Sequence, residues 1–122
     1  LRQKQIPAFQ LKKQLKEIGH LNRSGMQAGN NEDFKDAHER LESALKLSEK
    51  LGKHCLEAKI RNNMGILFAM QGKWDKALFA YDDAMEIIDR QYGKDNFFYR
   101  LLQKNILQIL QPDLPVGLSK LL

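Results

Sequence analysis

The residues with the widest chemical reach are the three histidines, His20, His38 and His54, and the single Cys55. Catalysis needs a nucleophile, a base and an orienting group that converge, and none of these residues belongs to a recognised motif. His38 and Glu42 stand at i, i+4 and could share one metal ion, but two ligands without a third read as an ordinary exposed helical pair. Cys55 beside His54 would be a candidate reactive thiol, yet a lone cysteine next to a linker reads as inert. One cysteine closes no internal disulfide, so a reducing compartment and a cytoplasmic location are expected. No Gly-rich phosphate loop is present. The expectation is therefore no catalytic residue, no cofactor and no metal.

Charge is the next place to look for a partner. The chain of 122 residues carries a net charge of +5. All of the excess lies in residues 1–23, where Arg2, Lys4, Lys12, Lys13, Lys16 and Arg23 face only Glu17. Such an arm could meet nucleic-acid phosphates, but Phe9 is its one aromatic, so nucleic-acid contact is the weakest alternative and the outer face of a first helix the preferred reading. Asp82, Asp83, Glu86 and Asp89 recur three or four apart and read as a solvated helix face. No apolar run approaches the roughly 18 residues of a membrane span, and the charged first segment is no secretory signal, so no membrane partner is expected. A start at Leu1 without Met reads as an excised or processed piece.

Elements that position these side chains follow from periodicity. Shifting the chain on itself by 40 brings Gly25 onto Gly65, Phe34 onto Trp74, Ala37 onto Ala77, Leu41 onto Tyr81, Ala44 onto Ala84 and Leu45 onto Met85. Small residues fall on small and large on large, as close-packed helix pairs require. Within each unit two helical stripes are separated by a turn, at Gly29-Asn30-Asn31 and at Gln71-Gly72-Lys73, while Gly52 and Gly93 read as helix C-caps. No alternating run supports a strand. Breaks are expected at 29–32, 52–54, 71–73, 93–96 and 111–114, giving five to six antiparallel helices. Residues 96–110 form a third, odd unit whose Phe97, Phe98, Leu101, Leu102, Ile106, Leu107, Ile109 and Leu110 cover nearly the whole circumference before Pro112. Leu114–Leu122 is expected to form a short last helix.

Residues 62–87 resemble a tetratricopeptide repeat: Met64-Gly65, Phe68, Gly72, Trp74, Ala77, Tyr81 and Ala84 match its pattern of small and aromatic positions. Gly25, Ala28, Phe34, Ala37, Leu41 and Ala44 repeat it more loosely. The 40-residue spacing, Asn62-Asn63 and the linker Tyr92–Asn96 are similar to the long-repeat variety found in kinesin light chain and related bacterial and signalling arrays. No Trp in the first helix and no Pro after the second are departures. The resemblance implies an all-α fold, an α-α superhelix of antiparallel hairpins with about 2.5 to 3 repeats. One domain over 1–122 is expected, with repeat one at about 8–52, repeat two at about 53–93 and a degenerate third repeat or cap at about 96–122. Trp74, Tyr81 and Phe68 then read as core positions.

In that family the first helices line a concave, peptide-binding side, which implies a non-enzymatic module that binds a peptide or helical segment of a partner protein. The expected groove residues are Asn22, Arg23, Lys59, Asn62, Asn63, Ile66, Met70, Lys104 and Asn105, continued by Gln108. Asparagine can donate to and accept from a peptide backbone, and Lys or Arg select acidic groups. Alternatively, Asn62 or Asn63 only satisfies neighbouring helix ends. Alanine at both is expected to weaken binding without lowering stability. Met26 departs from the carboxylate-clamp pattern of chaperone-binding relatives, so chaperone tails are not the expected partner. The alternative function is assembly: self-association as a homodimer, or docking within a longer chain, through Phe97, Phe98, Leu101, Leu102, Ile109 and Leu110.

Overall fold

Five helices and no strand make up the described residues, 6–112 of the computed structural model. These are α1 (Ala8–Asn30), α2 (Phe34–Lys50), α3 (His54–Met70), α4 (Trp74–Tyr92) and α5 (Phe97–Leu110). The helices form because their apolar and small residues recur at the helical period. In α2 the buried positions are Ala37, Leu41, Ala44 and Ser48, and in α4 they are Ala77, Tyr81, Ala84 and Ile88, the same i, i+4, i+7, i+11 stripe moved by 40. Each of α2 and α4 thus buries one face. α3 buries Ala58, Ile60, Asn62, Gly65 and Leu67, which spread around its circumference because α2 packs on one side and α4 on the other. α1 packs on α2 and also touches α3, while α5 packs on α4.

Three of the four turns are built alike. In each, an amide closes a six-residue loop onto the end of the preceding helix: Asp33 N–H donates to Ala28 O (2.9 Å), Lys53 to Ser48 O (3.0 Å) and Lys73 to Phe68 O (2.9 Å). The residue before each donor is left-handed: Glu32 at φ 63°, Gly52 at 65° and Gly72 at 73°. This is the Schellman ending of a helix, repeated every 20 residues. It corrects the first turn. α1 continues through Gly29 and Asn30, the break falls at 31–33, and the left-handed position belongs to Glu32 instead of a glycine. Gly29 is kept in the helix by packing, since a Cβ there would collide with the Leu67 side chain. The next break likewise falls at 51–53, one residue early, whereas 71–73 and 93–96 match expectation. The fourth turn is different: Gly93 has φ 79° and ψ −166°, and Asn96 caps α5 by accepting from Tyr99 N–H and donating to Gly93 O, both at 2.8 Å.

Within each hairpin the helices approach over a glycine. A Cβ on Gly25 would lie 3.0 Å from Leu41 Cδ2 and 3.2 Å from Ala37 O, and one on Gly65 would lie 2.5 Å from Tyr81 Cε1. Two cores result, one around Ile18, Leu41, Ile60 and Leu67, the other around Ala58, Tyr81, Ile88 and Leu102. Burial pushes the Tyr81 phenol up to about 12. Ile60 and Leu67 of α3 enter the first core, but the positions 40 earlier, His20 and Gln27, are exposed and polar. Trp74 departs from its expected core place: it is the first residue of α4 and 53% exposed. The expected helix at Leu114–Leu122 lies outside the described residues.

Two outcomes follow for stability. Leucine at Ala44 or Ala77, both fully buried, overpacks a helix crossing and should cost roughly 1 to 3 kcal/mol in thermal unfolding; a neutral result at both sites would contradict this packing register. Glu32→Gly removes a strained left-handed side chain from an exposed turn and should stabilise by about 1 kcal/mol in denaturant unfolding, whereas a loss would mean the carboxylate has work elsewhere.

Candidate functional site

The asparagines singled out by sequence pair with one another across the first helices. Asn63 Nδ2 donates to Asn22 Oδ1 at 2.8 Å, joining α3 to α1, and Asn105 Nδ2 donates to Asn62 Oδ1 at 2.8 Å, joining α5 to α3. The two acceptors stand 40 residues apart and the two donors 42, so one rung is repeated along the array. Asn62 is only 7% exposed, which makes its rung part of the packing. This is closer to the alternative in which Asn62 satisfies a neighbouring helix, and alanine there is expected to lower stability as well as any binding. At the ends of the line the pattern changes to cations. Arg23 occupies the place in α1 that Asn63 has in α3, and Lys104 precedes Asn105 as Asn62 precedes Asn63. Arg23 lies back along its own helix, with Nη1 only 3.0 Å from where a Cβ on Gly19 would be.

Each rung uses half of each amide. Asn22 and Asn62 keep their N–H2 donors, and Asn63 and Asn105 keep their carbonyl oxygens, so the line presents donors and acceptors in turn. Around it Lys59 is exposed, Lys104 half-buried and Met70 45% exposed, whereas Ile66 is half-buried against the second core. Gln108 is exposed one turn beyond Asn105. Arg23, Lys59 and Lys104 make no ion pair among the described residues. This face offers backbone-like hydrogen bonds between unneutralised cations.

The other candidates are spent on the fold or lie open to solvent. His38 is not an exposed partner of Glu42: its Nε2 lies 2.7 Å from Gln71 Oε1, and its ring packs 4.6 Å from that of Phe68. Among the described residues no three His, Cys, Asp or Glu side chains cluster as metal ligands. Cys55 is exposed. Of the acidic stripe, Asp82, Glu86 and Asp89 are exposed, and Asp83 pairs with Arg61 at 3.5 Å. Arg61 also reaches Glu49 at 3.1 Å and Glu57 at 3.3 Å, tying α2, α3 and α4 together. Sequence reasoning missed this hub, and with it a groove of about 300 Å³ whose walls include Met64, Phe68 and Phe79. The signal was available in the repeat itself, where Phe79 stands at the position of Glu39. In α5, Leu102 is fully buried and Phe98 and Ile109 pack on the second core; Leu101 is half-buried, and Phe97 and Leu110 are 76% and 60% exposed.

Stacked helical hairpins with a periodic polar line across their first helices define a repeat protein. The model of the tetratricopeptide repeat matches residues 18–90, and the chain belongs to that family. Members of the family generally mediate protein–protein interaction and are typically non-enzymatic scaffolds. The chain is similar to the regulatory protein RapG of Bacillus subtilis (strain 168), 27% identical over 66 residues, which are 54% of this chain and 18% of the relative. The chain thus spans under a fifth of that relative's length. No solved structure matches. No described helix is long and apolar enough to cross a membrane.

The rung at Asn62 is open to a double-mutant cycle. Asn62→Ala strands the Asn105 amide in a half-buried place and should cost roughly 1 to 2 kcal/mol. The double variant with Asn105→Ala should cost less than the two single losses together, with a coupling of about 1 kcal/mol in thermal unfolding. Strict additivity would show that the rung contributes nothing beyond its side chains.

Proposed function

We propose that this chain is a non-enzymatic interaction module that binds an extended peptide of a partner protein along the face formed by α1, α3 and α5. The observation that carries the reading is the asparagine line, with its alternating free donors and acceptors set among Arg23, Lys59 and Lys104. A peptide backbone offers the complementary alternation, and carboxylates on the peptide suit the cations. Asn22, Asn62, Asn63 and Asn105 contact the backbone, Ile66 and Met70 supply apolar contact, and Arg23, Lys59 and Lys104 read acidic side chains. The 40-residue spacing and the Asn62-Asn63 pair support placement with the long-repeat variety seen in kinesin light chain. We read α1–α2 and α3–α4 as repeats one and two and α5 as the start of a degenerate third. The relative's description as a regulatory protein favours an interaction role over catalysis. A cytoplasmic location fits the single exposed cysteine.

A second reading is favoured by the exposure of Phe97 and Leu110, at the two ends of α5, and of Trp74 at the start of α4, apolar side chains that another chain or a further domain would cover. Phe97→Glu with Leu110→Glu would then abolish assembly and leave peptide binding intact.

The groove is tested with a random-peptide display library selected on the immobilised protein, followed by fluorescence anisotropy with an enriched peptide. Enrichment of acidic residues is expected, and Arg23→Ala with Lys59→Ala should weaken binding roughly tenfold, about 1.4 kcal/mol, with an unchanged thermal midpoint. Both residues are exposed, so the fold does not depend on them. Equal affinity of wild type and variant would remove the reading.

A further inference from the structure

The groove between α3 and α4 is a second surface, independent of the asparagine line. Glu57, Arg61, Met64 and Phe68 lie about half a turn around α3 from Lys59, Asn63 and Ile66, so the two surfaces look in opposite directions. One end of the groove is mainly apolar, with Met64, Phe68 and Ala80 beneath Phe79, which is 73% exposed, and with Asp75 and Lys76 at its rim, the Lys76 ammonium 5.8 Å from the centre of the Phe68 ring. The other end keeps an acidic excess: Glu49, Glu57 and Asp83 share Arg61, and Glu86 pairs with Arg90 at 2.7 Å, which sets four carboxylates against two guanidinium groups. Phe79 has no packing duty within the repeat, since its counterpart Glu39 is exposed as well.

The complementary shape is at the start of the chain. α1 has 23 residues against 17 in α2, and its buried residues begin only at Ile18. Leu11 and Gln14 are half-buried and Leu15 packs on the first core, so these turns are an arm with one open face, on which Phe9 is 81% exposed, followed by exposed Lys13, Lys16 and Glu17. Phe9, Lys13 and Lys16 stand at i, i+4, i+7 on one face of α1; Phe79, Asp83 and Glu86 have the same spacing on α4. A helix laid parallel to α4 brings the two aromatics together, Lys13 to Asp83 and Lys16 to Glu86 in a single register, spanning about 10 Å. The arm is continuous with a helix anchored on α2 through Gly25 and Gly29, so its tip does not fold back into the groove of its own chain.

We propose that the α1 arm of a second copy of this chain docks in the α3–α4 groove, its Phe9 among Met64, Phe68 and Phe79 and its lysines on the carboxylates. Arm and groove are different patches, so the contact is head-to-tail and adds copies without closing a two-fold dimer. The arm is already helical, so little order is lost on docking. The patch is small, which puts the dissociation constant on the order of 100 µM.

Two variants of the full chain, altered only at exposed residues, separate the halves of the contact. Phe9→Ala with Lys13→Glu removes the arm, and Phe79→Ala with Glu86→Lys removes the groove; circular dichroism and the thermal midpoint verify that each is folded. In sedimentation equilibrium up to about 1 mM, wild-type mass should climb past that of a dimer, with affinity falling about tenfold between roughly 50 and 500 mM salt. Each variant alone should stay monomeric. Their mixture should form a 1:1 dimer and stop, because only one intact arm and one intact groove remain. A monomeric wild type or a mixture that stays monomeric overturns the proposal. So does association that persists in the arm variant, which would assign it to the Phe97 and Leu110 surface.

Discussion

The close approach of paired helices over glycine governs everything else in this chain. Gly25 lies under Leu41, where a methyl group would be held at a tight 3.0 Å, and Gly65 lies under Tyr81, which leaves no space for one. Fully buried Ala37 and Ala77, one turn from those side chains, let the second helix sink onto the first. Large residues then interlock around a short backbone separation, the arrangement that gives protein interiors their density. Because this contact is repeated after 40 residues, the second hairpin has the shape of the first. Similar packing seams stack in a similar way, and that brings Asn22 to Asn63 and Asn62 to Asn105.

Stacking between units uses the same device with a different glycine. Leu67 of α3 fills the space above Gly29 of α1, and Ile60 joins it in the first core. Neither hairpin could bury these residues alone, so the units stabilise one another, as in other solenoids. The charged cluster around Arg61 adds a tie among α2, α3 and α4, but its carboxylates are 15% to 44% exposed, and solvent screening keeps its contribution modest. The apolar seams hold the array, while the polar groups at its surface fix register and partner chemistry.

Helix type, hairpin pairing and the repeat length were legible because each depends on residues close in sequence. Ala37, Leu41 and Ala44 declare their stripe without reference to the rest of the chain. Gly29 was misleading, since a glycine near a cluster of asparagines suits a turn and a close approach equally well. Only the position of Leu67, 38 residues later, decides between them. Trp74 was misleading because the repeat pattern assigns it a core place, whereas it stands exposed at the first position of α4. For the asparagines, sequence placed them on one face and left open whether they bind a partner or each other. The observed rungs use one polar group of each amide and leave the other, so a structural role leaves half of each side chain's hydrogen bonding open.

That division bears on why the line ends in cations. An asparagine at an interior rung has a neighbour on the adjoining helix to complete half of its hydrogen bonding. At the place where no such neighbour is described, an amide would be left with unmatched groups, whereas Arg23 and Lys104 carry donors and charge that water satisfies. Arginine can lie along its helix because Gly19 leaves room for the guanidinium. The choice also shapes recognition. On the proposed reading, neutral amides in the middle would discriminate little between peptide sequences, and charges at the margins would act over a Debye length to select and orient an acidic ligand. On the opposite side of α3 the order is reversed, with carboxylates at one end of an apolar groove. One helix therefore carries two surfaces of opposite charge, Lys59 beside the asparagine line and, on the other side, Glu57 with the carboxylates gathered around Arg61.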